Sequence, residues 1–269
     1  MKGRILVIAG SDSGGGAGIQ ADIKTITALG GFAMTALSAL TVQNTLGVTG
    51  VLPVPPDFVA QQMCSVLDDL GADAFKSGML DRAEVILAVA DIIRVHPGIP
   101  YVLDPVMVAK GGSRLLQDNA VETLRRDLLP LATLLTPNLP EAEVLVGRPI
   151  RTVDDMRRAA EDLRRAGAGA VLVKGGHLDG DVLTDVLATD AGIELFSDTR
   201  LHTRHTHGTG CTLASAIATG LAQGLTLRDA VIRARRYLRA AIAAAPGYGA
   251  GAGPLNHAVT IGPDWTPAA

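Results

Sequence analysis

The feature that most constrains the fold is the alternation of short apolar runs with longer amphipathic stretches along the 269 residues. Several of these runs, such as RILVIAG at 4–10 and AVLVKGG at 170–176, carry apolar residues at consecutive positions. Consecutive apolar residues are typical of strands that are buried on both faces of a parallel sheet. Strands that alternate with amphipathic helices in this way predict a doubly wound α/β fold.

The same pattern gives the bounds of the predicted elements. The predicted strands are 4–10, 35–44, 73–78, 101–106, 133–138, 170–176, 181–189 and 193–200. The predicted helices are 19–29, 56–70, 82–95, 119–128, 152–166, 209–223 and 227–244. Residues 181–200 contain two strand patterns joined by DAG, which predicts a hairpin at one edge of the sheet. Neither a repeat nor a linker divides the sequence, so we expect a single domain over residues 1–269.

Composition and charge exclude several classes of protein. The chain has 27 acidic and 24 basic residues, a formal net charge of −3 that gives no electrostatic attraction to nucleic acid or to anionic membranes. Its apolar runs are too short for a membrane span, and its first residues lack the pattern of a secretory signal. Cys64 falls in an amphipathic helix pattern, where we expect a buried structural cysteine. These features predict a cytoplasmic protein.

Glycine-rich and polar segments collect at the carboxyl ends of the predicted strands. In open α/β sheets ligands bind outside these ends, so the segments predict one site along a single edge of the sheet. The segments are GSDSGGGAGIQAD, QN, KSGML, DPVMV, TPN and KGGH, together with HGTGC before a helix.

Two of these segments indicate close approach of the backbone to a ligand. The glycines of GSDSGGGAGIQAD allow a tight turn, but the segment is neither the dinucleotide fingerprint nor a P-loop. HGTGCT precedes the Ala-rich helix predicted at 209–223, where free backbone N–H groups and the helix dipole favour an anion. The alternatives are a plain strand–turn–helix for the first segment and an ordinary helix start capped by Thr209 for the second.

Oxygen ligands and a lysine follow three of the predicted strands. Asp104, Asn138 and Glu141 carry the hard oxygen atoms that suit Mg²⁺. The alternative for Asn138 and Glu141 is a capping box at a helix start, because they are three residues apart. Lys174 either pairs with phosphates or extends to solvent.

His202, His205, His207 and Cys211 lie within ten positions of one another. Their spacing lacks the paired ligands typical of a structural zinc site, and only one cysteine is available there. A thiol hydrolase with His207 as the base remains open, but it leaves the phosphate and magnesium features unexplained.

Taken together, the motifs resemble one family. The sequence is similar to the hydroxymethylpyrimidine/phosphomethylpyrimidine kinases of thiamine biosynthesis, in the ribokinase-like superfamily. The resemblance covers residues 4–245 and implies a three-layer α/β/α sandwich, a homodimer, and Mg·ATP-dependent phosphorylation of 4-amino-5-hydroxymethyl-2-methylpyrimidine (HMP) and then of HMP phosphate. The motifs are AGSDSGGGAGIQADIKT, ALTVQNT, KSGML, LDPVMVAKGG, LTPNLPEA, VLVKGGH and THGTGCTLASAIA.

The resemblance also implies roles for particular residues. Those expected to form the substrate pocket are Gly10, Asp22, Gln43, Met79 and Val106. Those expected to bind Mg·ATP are Asp104, Asn138, Glu141, Lys174 and Thr209, with Asp104 and Glu141 on the metal. Those expected to be catalytic are Lys174, Gly208, Gly210 and Cys211, the last three as an anion hole at the helix start. The amide of Gln43 both donates and accepts hydrogen bonds, which suits an aminopyrimidine.

One departure concerns the segment GTGC, where many ribokinase relatives read GAGD with the aspartate as general base. A cysteine at a helix N-terminus can have a lowered pKa, so Cys211 is expected either to act as a thiolate base or to shape the pocket. As a base it would serve mainly the alcohol step, because a phosphate monoester is already anionic. The alternative functions are a pyridoxal or pyridoxine kinase and a pyrimidine-binding sensor without catalysis.

Overall fold

The computed structural model describes residues 1–107 and 118–262. The last part of LDPVMVAKGG, residues 108–112, lies outside the described residues. The strands are β1 (Arg4–Ala9), β2 (Phe32–Leu37), β3 (Ala39–Asn44), β4 (Gly47–Pro53), β5 (Ala74–Ser77), β6 (Tyr101–Leu103), β7 (Leu134–Leu135), β8 (Val171–Val173), β9 (Val182–Thr189) and β10 (Gly192–Thr199). The α-helices are α1 (Gly18–Ala28), α2 (Pro56–Asp69), α3 (Ala83–Arg94), α4 (Asp118–Thr123), α5 (Leu139–Val146), α6 (Val153–Arg165), α7 (Thr209–Ala222) and α8 (Leu227–Ala243).

Eight strands form the main sheet in the order β10-β9-β8-β7-β6-β5-β1-β2. The six strands from β8 to β2 are parallel to their neighbours. The last two strands, β9 and β10, form an antiparallel hairpin at the edge next to β8. The prediction of a mostly parallel α/β sheet with an edge hairpin is therefore confirmed.

Alternation of side chains along β1 shows that helices cover both faces of the sheet. Leu6 and Ile8 pack in the core with α2, α3, α5 and α6, whereas Ile5 and Val7 pack in the core with α1, α7 and α8. All four side chains are inaccessible to solvent, and burial of each contributes about 1.5–3 kcal/mol. The predicted three-layer α/β/α sandwich is confirmed.

The segment predicted as one strand at 35–44 is divided between two sheets. β2 ends at Leu37, and β3 pairs only with β4 in a separate two-stranded antiparallel sheet. The chain leaves the main sheet at Ser38, whose N–H donates to Ala9 while its carbonyl accepts from Val54. β4 was absent from the prediction because GVTGVLP is glycine-rich and largely exposed.

Two further predictions differ from the structure. The predicted helix 119–128 is an α-helix only to Thr123 and continues as a π-helical turn over Leu124–Leu128. Cys64 is exposed rather than buried, because α2 packs inward through Val59 and Met63 and the next position points away. Among the described helices, none has both the length and the apolar character needed to cross a membrane.

Candidate active site

A cavity of about 530 Å³ opens at the carboxyl ends of the parallel strands. Loops after β1, β5, β6, β7 and β8 meet there with β3 and with the start of α7. Every predicted site residue except Asp22 lines this cavity. The residues are Gly10, Gln43, Met79, Asp104, Val106, Asn138, Glu141, Lys174, Gly208, Thr209, Gly210 and Cys211. The seven motifs at strand ends therefore meet at one cavity, as the parallel sheet predicts.

A second cavity of about 290 Å³ adjoins the first. Asn138, Lys174, Thr209 and Gly210 line both cavities. His177 and Thr206 also line both cavities, so the two cavities form one site with two compartments, and these six residues lie at the junction.

An ion pair stands at this junction. Lys174 Nζ lies 3.0 Å from Asp104 Oδ1, which also accepts a hydrogen bond from the Thr136 hydroxyl at 3.1 Å. Burial disfavours the ammonium, but the carboxylates of Asp104 and Glu141 outweigh it and raise the pKa of Lys174. Lys174 is therefore a fixed cation that faces both compartments.

Asn138 and Glu141 form the capping box at the start of α5. The Asn138 side chain accepts from the Glu141 N–H at 2.9 Å, and the Glu141 carboxylate accepts from the Asn138 N–H at 2.8 Å. Both residues also line the cavity, so the capping role does not exclude a role toward a ligand. Desolvation raises the pKa of Glu141 to about 7, Lys174 opposes this shift, and Asp104 adds to it.

The start of α7 is open toward the first cavity. Gly208 precedes the helix with φ 81°, and a Cβ at this position would overlap the carbonyl oxygen of Gly16. None of the described side chains caps the helix, because the Thr209 hydroxyl donates to the Thr206 carbonyl instead. The alternative of a Thr209 cap is therefore wrong. The uncapped backbone N–H groups favour an anion at this turn.

Cys211 does not have the lowered pKa that its position at a helix start suggested. Desolvation raises the pKa of the thiol to about 12, although the ammonium of Lys76 opposes the shift. Although Cys211 is only half-buried at the cavity wall, the effect of its packed surroundings therefore outweighs the helix N-terminus and the nearby cation. At neutral pH the Cys211 side chain is a protonated thiol.

Asp22 lies outside the cavity, which corrects the predicted substrate contact. Its side chain is inaccessible to solvent and lies 2.9 and 3.1 Å from Lys76 Nζ and 2.6 Å from Ser215 Oγ. Gly18, one turn earlier on α1, does line the cavity. Helical periodicity therefore places Asp22 below the cavity floor, against α7.

The predicted site omitted several residues that line the cavity, and two of them, Asp12 and His207, form a pair. The Asp12 carboxylate accepts from the backbone N–H groups of Gly14, Gly16 and Ala17, and His207 Nε2 donates to it at 2.8 Å. Burial opposes ionisation, but these hydrogen bonds keep the pKa of Asp12 below its ordinary value. The pair joins the glycine-rich loop to the turn before α7. The histidine directly before the GTG turn was the feature of the sequence that could have identified it.

His207 also lies close to Gln43, which is predicted to contact the substrate. Gln43 Nε2 lies 3.3 Å from His207 Nε2, and the Gln43 carbonyl accepts from the Thr41 hydroxyl at 3.2 Å. The two other histidines of the cluster at 202–207 lie away from the Asp12–His207 pair. His202 pairs with Asp181 at the surface, and His205 is next to Gly253. Within residues 1–107 and 118–262, no group of three or more His, Cys, Asp or Glu residues could hold a metal.

The chain is similar to known proteins over most of its length. The family described as phosphomethylpyrimidine kinase matches residues 12–256. The chain is 52% identical over 256 residues to the thiamine biosynthesis bifunctional protein ThiED of Geobacter sulfurreducens, an alignment that covers 95% of this chain and 52% of that protein. It is 50% identical over 255 residues to the hydroxymethylpyrimidine/phosphomethylpyrimidine kinase of Rhizobium meliloti, an alignment that covers 94% of this chain and 96% of that one.

The chain thus spans about half the length of the Geobacter relative and almost all of the Rhizobium relative. Among solved structures, it is similar to an ADP complex of Bacillus subtilis pyridoxal kinase. The TM-score is 0.90 with 37% sequence identity, over 96% of this chain and 98% of that chain. The pyridoxal kinase shares the fold and most of its length with this chain, and its sequence is less similar than those of the two relatives above.

Proposed function

Because the chain belongs to the phosphomethylpyrimidine kinase family, we propose that it uses ATP to phosphorylate HMP to HMP phosphate and then HMP phosphate to HMP pyrophosphate. It is a phosphotransferase of thiamine biosynthesis with a ribokinase-like fold. The observation that carries the proposal is the junction of the two compartments, where the Lys174 cation and the open start of α7 face the same space. A turnover assay in which the phosphates of the product are counted tests it.

The first compartment suits the pyrimidine. Met79 and Val106 supply apolar walls for a flat ring, and Gln43 presents both a donor and an acceptor to an aminopyrimidine. The Asp12–His207 pair joins the glycine-rich loop to the turn before α7 on the side of the cavity that includes Gln43. The hydroxymethyl group is then directed toward Lys174 and the turn before α7.

The second compartment suits ATP. Leu213, Leu238 and Ile242 give it an apolar wall for a base, and Asn138, Lys174 and Thr209 connect it to the junction. The Bacillus neighbour was solved as an ADP complex, which supports a nucleotide in this fold. In this arrangement the γ-phosphoryl group lies at Lys174 and at the N–H groups of Gly208, Gly210 and Cys211.

The transfer itself depends on position and charge. The substrate oxygen forms a bond to the γ-phosphorus as the bond to the bridging oxygen of ATP breaks and ADP leaves. In the first step the proton of the HMP hydroxyl passes to an oxygen of the transferred phosphoryl group; in the second step HMP phosphate attacks through an oxygen that is already anionic. Lys174 and the uncapped N–H groups stabilise the negative charge of the transferring group. The walls of the two compartments hold the two substrates in line, which replaces a bimolecular encounter by an oriented one.

Asp104 and Glu141 would hold Mg²⁺. Their donor chemistry fits the ion, which commonly takes one or two carboxylates together with substrate phosphates and water. Asp104 adds to the raised pKa of Glu141, so its carboxylate disfavours the charge of Glu141, and a cation between them would relieve this. When bound, the ion neutralises charge on the phosphates of ATP.

Cys211 is proposed to contribute through its backbone N–H and the shape of its protonated side chain. We predict that Cys211→Ala lowers kcat for both phosphorylations by a similar factor, because a thiol of pKa about 12 is scarcely ionised at neutral pH. Steady-state rates with HMP and with HMP phosphate measure the two losses. A loss confined to the alcohol step would contradict this prediction and restore the thiolate base.

A pyridoxal or pyridoxine kinase is the second candidate, and the fold similarity to Bacillus pyridoxal kinase favours it. The identity to the Rhizobium pyrimidine kinase is higher, and Gln43 suits an aminopyrimidine better than a pyridine ring. A pyrimidine-binding sensor is weaker still, because Asp104, Lys174 and the GTGC turn are all in place at the junction. Parallel assays with HMP, HMP phosphate and pyridoxal separate these candidates.

We further propose that the chain acts as one cytoplasmic kinase domain over residues 1–269 and as a homodimer. The hairpin of β3 and β4 supports the dimer. Its inner face carries Thr41 and Gln43 toward the cavity. Its outer face carries Leu40 and Val42 on β3 and Leu52, the partner of Leu40, on β4. Val42 is 65% exposed and Leu52 is 64% exposed. Such an apolar face on a two-stranded sheet is typical of an interaction surface.

We predict that the protein sediments as a dimer at micromolar concentration and that Val42→Asp with Leu52→Asp converts it to a monomer. Two buried carboxylates without partners would outweigh the apolar contact of the interface. Val95→Asp, at an exposed apolar position after α3, is the matched control and should leave the dimer intact. A monomer at all concentrations for the unmodified chain would refute the dimer.

A further inference from the structure

Strand β5 contains a lysine that has no access to solvent. All four residues of AFKS are buried, and Lys76 is 0% exposed. Lysine is almost never fully buried unless it is paired. Lys76 Nζ lies 2.9 and 3.1 Å from the two oxygens of Asp22, which is also inaccessible to solvent. Burial lowers the pKa of Lys76, but Asp22, with smaller contributions from Cys211 and Asp104, raises it overall. Burial also raises the pKa of Asp22, and the Lys76 ammonium and the Ser215 hydroxyl oppose that shift. The short contacts to both carboxylate oxygens are the geometry of an ion pair.

Two helices hold this pair directly below the anion turn. On α1, Gly18 and Asp22 are four residues apart and share a face, as do Cys211 and Ser215 on α7. The upper residues, Gly18 and Cys211, both line the cavity. The lower residues meet through the Ser215 hydroxyl, which donates to Asp22 at 2.6 Å. The ion pair therefore lies one helical turn below Cys211.

The ammonium is also close behind the cavity surface. Gly78 lines the cavity, and a Cβ at Gly78 would lie 3.1 Å from Lys76 Nζ. Because residue 78 is a glycine, only its backbone separates the Lys76 ammonium from the first compartment at this point. The site thus has two positive charges. Lys174 lines the cavity, whereas Lys76 lies behind the cavity surface.

Stability alone does not account for a buried ion pair. Removal of two charges from water costs several kcal/mol per ion, and an apolar pair of similar volume is often at least as stable. The position of this pair below the anion turn gives it a role that an apolar pair could not supply.

We propose that Lys76 is a positioning residue for phosphoryl transfer, whose ammonium, fixed by Asp22, places positive charge behind the Gly208–Cys211 turn and stabilises negative charge there. Lys76 acts through the turn and does not touch the substrate. The effect of Lys76 on Cys211 supports this role. Desolvation raises the pKa of the thiol, and Lys76 is the largest influence that lowers it. Asp22 raises the same pKa, by less than Lys76 lowers it. The inference deepens the proposed kinase function and rests on it for its catalytic part.

The test uses the double variant Lys76→Met with Asp22→Asn. It removes both charges, so that neither a buried cation nor a buried anion remains without its partner. All variants carry Cys64→Ser, because Cys64 is exposed and would react with a thiol probe. Three quantities are measured: kcat and KM for HMP, the rate of Cys211 alkylation by iodoacetamide at one fixed pH, and the thermal unfolding midpoint. Ser215→Ala is the matched control, because it loosens the same packing but leaves Lys76 charged.

We expect the double variant to lose about 10-fold or more in kcat with KM little changed, because it loses charge stabilisation at the transferring group. Alkylation of Cys211 should slow by about 10-fold, because one pKa unit of the thiol changes the thiolate fraction by that factor. Ser215→Ala should stay within a factor of about three in both rates, since one neutral hydrogen bond makes a small net contribution.

A folded double variant with unchanged kcat and unchanged alkylation would overturn the proposal and leave the pair a structural element. If the double variant does not fold, Lys76→Met alone is measured, because a buried Asp22 without its partner can take up a proton. The alkylation rate needs no turnover, so it tests the position of the charge even if the unmodified protein proves inactive as a kinase. An inactive protein whose Cys211 alkylation still depends on Lys76 would refute the proposed function and leave the charge placement intact.

Discussion

Replacement of Lys174 by methionine is expected to lower kcat for both phosphorylations by about 100- to 1000-fold, the range seen when one preorganised group that stabilises transition-state charge is removed. Lys174 Nζ lies at the junction of the two compartments and is held there by Asp104 at 3.0 Å. Methionine keeps most of the side-chain volume and removes only the charge. The loss should appear with HMP and with HMP phosphate alike, because each reaction transfers the same γ-phosphoryl group.

Steady-state kinetics measures this loss, and calorimetric binding of HMP shows whether the first compartment survives. Lys2→Met, at an exposed lysine near the N-terminus, is the matched control and should retain full activity. A thermal unfolding midpoint for each variant shows that the chain is folded, since Asp104 loses its partner when Lys174 is replaced. A loss below about tenfold in both reactions would contradict the placement of Lys174 at the transferring phosphoryl group.

Gly208→Ala is expected to abolish most of the activity through the geometry of one turn. The backbone at Gly208 has φ 81°, and an added Cβ would overlap the carbonyl oxygen of Gly16 in the glycine-rich loop. Either the start of α7 or the loop must move, and both line the first compartment. Because misplacement by about 1 Å can cost about 100-fold in rate, we expect kcat to fall by about 100-fold or more.

The opposite end of α7 offers a matched control for this substitution. Gly224 has a similar φ of 85°, but a Cβ there would meet no atom within 4 Å among the described residues. Gly224→Ala therefore introduces the same backbone strain away from the site and should cost stability but little activity. Rates and unfolding midpoints of the two variants are compared directly. Equal losses of activity would show that strain in α7, rather than the turn at Gly208, is responsible.

The sheet and the cavity could be predicted because both depend on local patterns. Strands such as RILVIAG are apolar at consecutive positions, which fixes a buried parallel sheet, and parallel strands bring their carboxyl ends to one edge. Asp104, Asn138 and Lys174 follow three such strands, so their meeting at one cavity required only the sheet. The break at Ser38 was not predictable in this way, because it depends on hydrogen bonds from Ser38 to Ala9 and from Val54 to Ser38.

Three features of the site could not be predicted because they depend on contacts between distant segments. Asp12 and His207 are 195 residues apart in sequence, and only the folded chain brings them within 2.8 Å. Asp22 was placed in the pocket because its motif surrounds the pocket, but one turn of α1 directs it to Lys76 instead. The pKa of Cys211 likewise depends on how far the folded chain removes the thiol from water. In each case tertiary packing decides between arrangements that the local sequence leaves equally open.

The most direct test of the central claim is to count the phosphates that the purified protein adds to HMP. HMP is incubated with ATP and Mg²⁺, and the products are separated and identified by mass spectrometry, with pyridoxal in a parallel reaction. We expect HMP phosphate followed by HMP pyrophosphate, with one ATP consumed in each step and slower turnover of pyridoxal. Binding of HMP with no ATP consumed, or phosphorylation of pyridoxal but not of HMP, would contradict it.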